Sequence, residues 1–176
     1  HLVVYDYHNH HKAPLPDVIA NNAGVPKILD QGTEGACTGF ALAAVINFLL
    51  ARRSGRKLVS PRMLYEMARC YDEWPGEKYD GSSARGAMKG WARHGVCEQA
   101  RWKDGFAGRA WLTPEFSQAA LAVPCGAYYR VNHREVRDVH AALSEVGAIY
   151  CTLMVHQGWD EPGPLEVKID GVGSGK

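Results

Sequence analysis

The chain has 176 residues, 46 % of them hydrophobic, and a formal net charge of +1. That length buries one sizeable core or two small lobes sharing an interface, and the near-zero charge excludes a global basic field for nucleic acid or a membrane surface. The longest apolar run, residues 40–50, is about half of the ~20 residues a membrane-spanning helix needs.

Residues 1–30 lack periodicity and carry Pro14, Pro16, Asn21-Asn22-Ala23-Gly24 and Pro26, so they read as an extended arm. Residues 36–53 form the clearest helix; it is apolar nearly all round, which predicts burial between other elements, and Gly55 ends it. Ser60-Pro61 is a cap followed by proline at the first helical position, opening a second helix to about Cys70. Residues 71–83, with Pro75-Gly76 and Asp80-Gly81, form a loop. Ser82 or Ser83 caps a third helix that runs to His94 and closes at Gly95. Residues 98–112 are irregular, and Thr113-Pro114-Glu115 opens a short helix to about Leu121. After Pro124 the texture changes: a strand at 128–131, a helix at 134–146 ended by Gly147, a near-continuously apolar strand at 148–155 and a weaker one at 165–169. Helices first and strands later is the order of an α+β architecture with two lobes.

The chemistry concentrates in Gln31-Gly32-Thr33-Glu34-Gly35-Ala36-Cys37-Thr38-Gly39-Phe40. Cys37 stands where the first helix begins, and the unpaired N–H groups and dipole of a helix start favour a thiolate. Gln31 lies six residues earlier, and a side-chain amide donates to the oxyanion formed when a thiolate attacks a carbonyl. Gly32 and Gly35 allow a tight path between donor and nucleophile.

These residues, spaced as Gln31-Gly32-x-x-Gly35-x-Cys37-x-x-Phe40, resemble the active-site signature of the papain-like cysteine peptidases. Glu34 replaces the family's second cysteine and Thr38 its tryptophan, departures of the kind found in bacterial-type members. The resemblance extends to Ser60-Pro61-Arg62-Met63-Leu64-Tyr65, to Asp80-Gly81-Ser82-Ser83 and the helix after it, and to Gly147-Ala148-Ile149-Tyr150. It implies a papain-like fold: an arm over 1–16, a helical lobe over 17–126 with the nucleophile on its central helix, and the first part of a β-barrel lobe over 127–176. The implied chemistry is acyl transfer: Cys37 attacks a peptide carbonyl, while Gln31 and the Cys37 N–H hold the oxyanion. Gly35, Asp80, Gly81 and Ser82 then lie beside an extended peptide substrate. An ordinary turn with a serine cap explains the 80–82 residues equally well.

In that family a histidine follows the nucleophile by about 130–150 residues, and residues 167–176 contain none. The resemblance therefore expects the histidine and its asparagine partner beyond Lys176. Three sources are compatible with that: a continuation of the chain, a cut remainder that stays bound, or a second chain completing the barrel. His156 is the alternative base within the chain, with a cleft-edge or surface position as its competing reading. His94 and His140 fall near helix C-termini, where imidazole is favourable for structural reasons, and His133 belongs to a turn.

His8-Asn9-His10-His11, with Asp6, lacks the spacing of a structural zinc site and reads as a solvated segment. No metal and no cofactor is expected. Trp91, Trp102, Trp111, Tyr128 and Tyr129 read as core and interlobe packing rather than a base-stacking platform. Cys37, Cys70, Cys97, Cys125 and Cys151 contain no CxxC pair; with Cys37 a free thiolate the other four form two bridges or none, and the favoured reading is small buried hydrophobes in a reducing, cytoplasmic setting. The expected partners are a peptide or protein substrate and the segment that completes the barrel, not nucleic acid or membrane. Two functions stay open: a cysteine endopeptidase working through an acyl-enzyme, and an inactive papain-like module that binds peptides or regulates.

Overall fold

The computed structural model describes residues 5–6, 15–20, 28–53, 58–74, 79–102 and 112–155. The elements are β1 (Tyr5–Asp6), α1 (Cys37–Arg53), α2 (Pro61–Cys70), α3 (Ala84–His94), a 3₁₀ turn at Gln99–Arg101, α4 (Pro114–Leu121), β2 (Tyr129–Arg130) and α5 (Val136–Val146). The architecture is mainly helical with short strands.

The helix starts are local chemistry. Ser60 accepts the Met63 N–H at 3.1 Å and Pro61 occupies the first turn of α2. Ser83 accepts the Gly86 N–H at 3.0 Å and opens α3, which fixes the cap on Ser83 and leaves the Ser82 hydroxyl for other work. Thr113 caps α4 in the same way at 3.3 Å. Each such cap stabilises by roughly 1 kcal/mol. At the other end, Gly95 (φ 69°) turns the chain out of α3 in a conformation that favours glycine. α5 begins two residues later than the apolar pattern predicts. The Asn132 side chain accepts the Arg134 N–H at 3.2 Å and its carbonyl accepts the Glu135 N–H at 3.1 Å, so a turn consumes those residues first.

The core is the α1–α2–α3 layer. Leu42 and Ile46 of α1 meet Met63, Leu64 and Met67 of α2, with Val59, Val96 and Cys97 closing the cluster. Burying side chains of this size contributes about 1.5–3 kcal/mol each. Gly90 brings α3 against α2: a Cβ there would stand 2.5 Å from that of Met67. The connections around α2 are bonded to each other, Ser60 N–H to the Cys97 carbonyl at 2.9 Å and Gln99 N–H to that of Leu58 at 2.8 Å. α4 is tied to the end of α3 through the Val96 N–H, which donates to the Ala120 carbonyl, and through the Trp91 indole, which donates to that of Val123 at 3.1 Å.

α1 is less enclosed than its composition predicts. One side packs on α2, while Val45, Leu49 and Leu50 on another side are half-buried and line an open cavity of about 720 Å³ shared with Val123–Tyr129 and the end of α5. An apolar stretch states that a helix dislikes water; it does not state which neighbour covers each side.

The strand region also differs from expectation. The expected strand at 128–131 shrinks to β2, which pairs in parallel with β1, Tyr5 opposite Tyr129 and Asp6 opposite Arg130. Residues 5–6 thus join a sheet that the sequence does not announce. Residues 148–155 form no strand among the described residues, and Leu153, Met154 and Val155 are exposed. Apolar character alone makes no strand, because the backbone groups need a ladder partner. The strand expected at 165–169 lies outside the described residues.

All five cysteines carry free thiols. Cys97 is buried, Cys70 and Cys125 are half-buried, and Cys151 is exposed, against the expectation that the non-nucleophilic cysteines act as small core hydrophobes. Burial pushes the Cys125 thiol up to about 11 and that of Cys97 upward too. Tyr129 is likewise exposed rather than packed, whereas Trp91 and Trp102 pack against the core as expected; Trp111 lies outside the described residues.

Candidate active site

The turn before α1 is built from its own polar groups. Asp30 Oδ1 accepts the Gly32 N–H at 2.8 Å, and Gly32 takes φ +64°, where glycine carries no Cβ penalty. The chain then folds back so that the Glu34 carbonyl accepts twice, from Gln31 Nε2 at 2.8 Å and from the Ala36 N–H at 2.7 Å. The Ala36 carbonyl accepts the Phe40 N–H at 3.1 Å and begins the helix. Cys37 is the first residue of α1 and is exposed. Its N–H belongs to the group of first-turn donors that have no acceptor within a helix.

Glu34, which stands where the resembled family has a cysteine, makes an ion pair with Arg62 at 2.7 Å. Both side chains are partly exposed, so the pair adds little stability, yet it ties the turn before α1 to the start of α2.

A second loop lies against this turn. Gly35 faces the Asp80 backbone with no room for a side chain. The Tyr65 hydroxyl, from α2, donates to the Asp80 carbonyl, and burial raises that phenol above its usual range. The Ser82 and Thr38 hydroxyls are hydrogen-bonded at 2.5 Å. Further back, the Asp72 carboxylate accepts from the Tyr79 hydroxyl and from the N–H groups of Glu73 and Ser83, at 2.8 and 3.1 Å for the last two. Partial burial by itself would raise the Asp72 carboxyl; the hydrogen bonds outweigh it and hold the group below the usual carboxylate range. The expected site residues Gln31, Gly35, Cys37, Asp80, Gly81 and Ser82 therefore fall on two adjoining loops, bridged through Gly35–Asp80 and Thr38–Ser82.

A third piece of chain reaches the site. After α5, the Tyr150 hydroxyl donates to the Thr38 carbonyl at 3.0 Å. Thr38, Tyr65, Arg62 and Tyr150 were not singled out as site residues by sequence. Tyr65 sits within the apolar run of α2 and Tyr150 within an apolar stretch, so their patterns signal core, and only their hydroxyl partners show that they reach these loops.

The histidines lie elsewhere or outside the description. His94 Nε2 is 2.7 Å from the Tyr71 hydroxyl at the far ends of α3 and α2. His133 is exposed before α5 and His140 lies within it. His156 and the 8–11 cluster lie outside the described residues, and no histidine hydrogen-bonds to Cys37 among the described ones. Nor do three His, Cys, Asp or Glu side chains gather as a metal site among the described residues. No described helix is long and apolar enough to cross a membrane.

No protein-family model matches the sequence, and no curated protein does. Among solved structures the chain is similar to xylellain, a cysteine protease from Xylella fastidiosa, with a TM-score of 0.64 and 24 % identity over 80 % of this chain. The chain spans 58 % of the length of that protein. At this identity the likeness establishes a shared fold: the mainly helical architecture with few strands is similar to that of a cysteine protease.

Proposed function

We propose that this chain carries the nucleophile of a papain-like cysteine peptidase that cleaves peptide bonds through an acyl-enzyme. The carrying observation is the placement of Cys37: an exposed thiol on the first residue of a long helix, beside a glutamine-bearing turn that abuts the 80–82 segment. A binding module needs neither the thiol nor the glutamine.

In this reading a peptide lies extended along residues 80–82 and hydrogen-bonds to their main chain. The Cys37 thiolate attacks the scissile carbonyl. The negative charge that develops on the carbonyl oxygen is met by the Cys37 N–H and by Gln31. One N–H of the Gln31 amide is committed to the Glu34 carbonyl, which orients the amide and leaves its other N–H for the oxyanion. A histidine outside the described residues takes the thiol proton and returns it to the leaving amine. Water then releases the acyl group. The fold shared with a cysteine protease supports this reading.

The deciding experiment is the alkylation rate of Cys37 against pH on the protein as isolated, with Cys37→Ala as the blank. Fast reaction well below pH 6 is the expected result, because a thiol paired with an imidazole ionises there. A rate that climbs only near pH 8–9, the ordinary thiol range at about 8.5, would show that no thiol–imidazole pair is assembled, and would leave an inactive fragment or a domain that binds without cutting in place of a working peptidase.

A further inference from the structure

Thr38, the residue directly after the nucleophile, is held at both ends by chain segments remote in sequence. Its hydroxyl is bonded to Ser82 at 2.5 Å and its carbonyl accepts from Tyr150 at 3.0 Å. Thr38 is buried, with 5 % of its surface exposed, so water does not compete at the hydroxyl. We propose that Thr38 and Tyr150 are positioning residues for the nucleophile: together with Ser82 they lock the first turn of α1 to the substrate segment and set where the Cys37 sulfur points relative to a peptide bound along 80–82. The inference rests on Cys37 acting on a bound peptide.

The physical argument is one of geometry. The thiol sits on the first residue of α1 and the peptide-binding segment on a separate loop, so the contacts that span them, together with the Tyr65 bond to Asp80, set their relative placement. Gly35 against Asp80 is a packing contact, which limits approach and does not fix rotation about the α1 axis. The Thr38 hydroxyl bond to Ser82 supplies the directional restraint on one side of the helix start, and the Tyr150 hydroxyl supplies it on another. Misplacing a reacting atom by about 1 Å costs on the order of 100-fold in rate. The donor end of this brace is durable: burial, with the Cys37 and Cys151 thiols nearby, keeps the Tyr150 phenol protonated well beyond the usual tyrosine range. It stays a donor while Cys37 is a thiolate.

The brace is separable from stability and from thiol reactivity by comparing two reagents. Chloroacetamide and a peptidyl chloromethyl ketone both alkylate a thiolate with a new S–C bond and loss of chloride, but only the second occupies the substrate segment. The measurement is the ratio of their rate constants at Cys37, followed by mass spectrometry of the Cys37 peptide so that the exposed Cys151 is not counted. In the unaltered protein the ratio far exceeds that of a small free thiol. Thr38→Val and Tyr150→Phe lower it by roughly 10- to 100-fold, while Thr38→Ser, which keeps the hydroxyl, retains it. A merely structural role would lower the melting temperature and leave the ratio of the folded fraction in place. Ratios within about twofold of the unaltered protein for both Tyr150→Phe and Thr38→Val overturn the brace and leave the peptidase reading standing. Should Thr38→Val fail to fold, Tyr150→Phe against Thr38→Ser decides alone. No preference for the peptidyl reagent in the unaltered protein would overturn the peptidase reading itself, and the brace with it.

Discussion

Gly35 and Asp80 touch through their backbones: a Cβ built on Gly35 would lie 2.7 Å from the Asp80 carbonyl oxygen and 3.0 Å from its carbon. The obstacle is main chain, not the end of a flexible side chain, so one of the two loops must move to admit even a methyl group. Gly35→Ala is expected to destabilise by about 1–3 kcal/mol, the usual cost of overpacking. It should also lower labelling by the peptidyl reagent more than labelling by chloroacetamide. A melting temperature equal to that of the unaltered protein would show that the loops give way freely.

The proposed function gives Gln31 an oxyanion role beside its observed bond to the Glu34 carbonyl, and its substitution separates the two. Gln31→Ala should reduce kcat for a peptide substrate by about 100- to 1,000-fold, as loss of one oxyanion donor does, with KM little changed. The bond to the Glu34 carbonyl is also lost, which costs about 1 kcal/mol of turn stability and is read separately by thermal melting. Equal loss of kcat and of folded protein would assign Gln31 to the turn only.

Asn47 is a buried polar residue whose Oδ1 accepts the Val59 N–H at 2.9 Å. Asn47→Ala strands that donor in the core next to Val59, at a cost of about 1–3 kcal/mol. The low end is expected, since the Asn47 Nδ2 group is itself buried without a partner among the described residues and leaves with the side chain. Denaturant unfolding measures it; an unchanged midpoint with unchanged slope would contradict the assignment.

Asp72 sets an acid limit on the loop that leads into residues 80–82. Its folded carboxyl lies below the unfolded value of about 3.9. A depressed carboxylate contributes stability that is fully present above the unfolded value and is lost as pH falls through the folded one. The stability difference between the unaltered protein and Asp72→Asn should therefore be flat from pH 7 to about 5 and shrink below about pH 4. A difference that widens in acid would reverse the sign and refute the account.

How much of this was legible depends on where the determining interaction lies. The capped helices were readable because Ser60-Pro61, Ser83 and Thr113-Pro114 act on neighbours within three residues. The tight turn before α1 has the same local origin: Asp30, Gln31, Gly32 and Glu34 bond among themselves. The strand at 148–155 was misread because a ladder is a property of two segments, and an apolar stretch names no second one. The exposure of Cys151 and Tyr129 and the Tyr150–Thr38 bond share that cause: each is decided by a residue far away in the chain.

The parallel pairing of Tyr5 with Tyr129 has a consequence for the order of events during synthesis. The core of α1, α2 and α3 joins residues close in sequence and closes small loops, which costs little entropy and is fast. The sheet that holds residues 5–6 needs residue 129, so a chain emerging from N- to C-terminus makes those two residues well before it can place them. Pulse-labelled hydrogen exchange should find the Ser60 amide protected before that of Tyr129. Residues 5–6 are then made before the helices and join the fold after them.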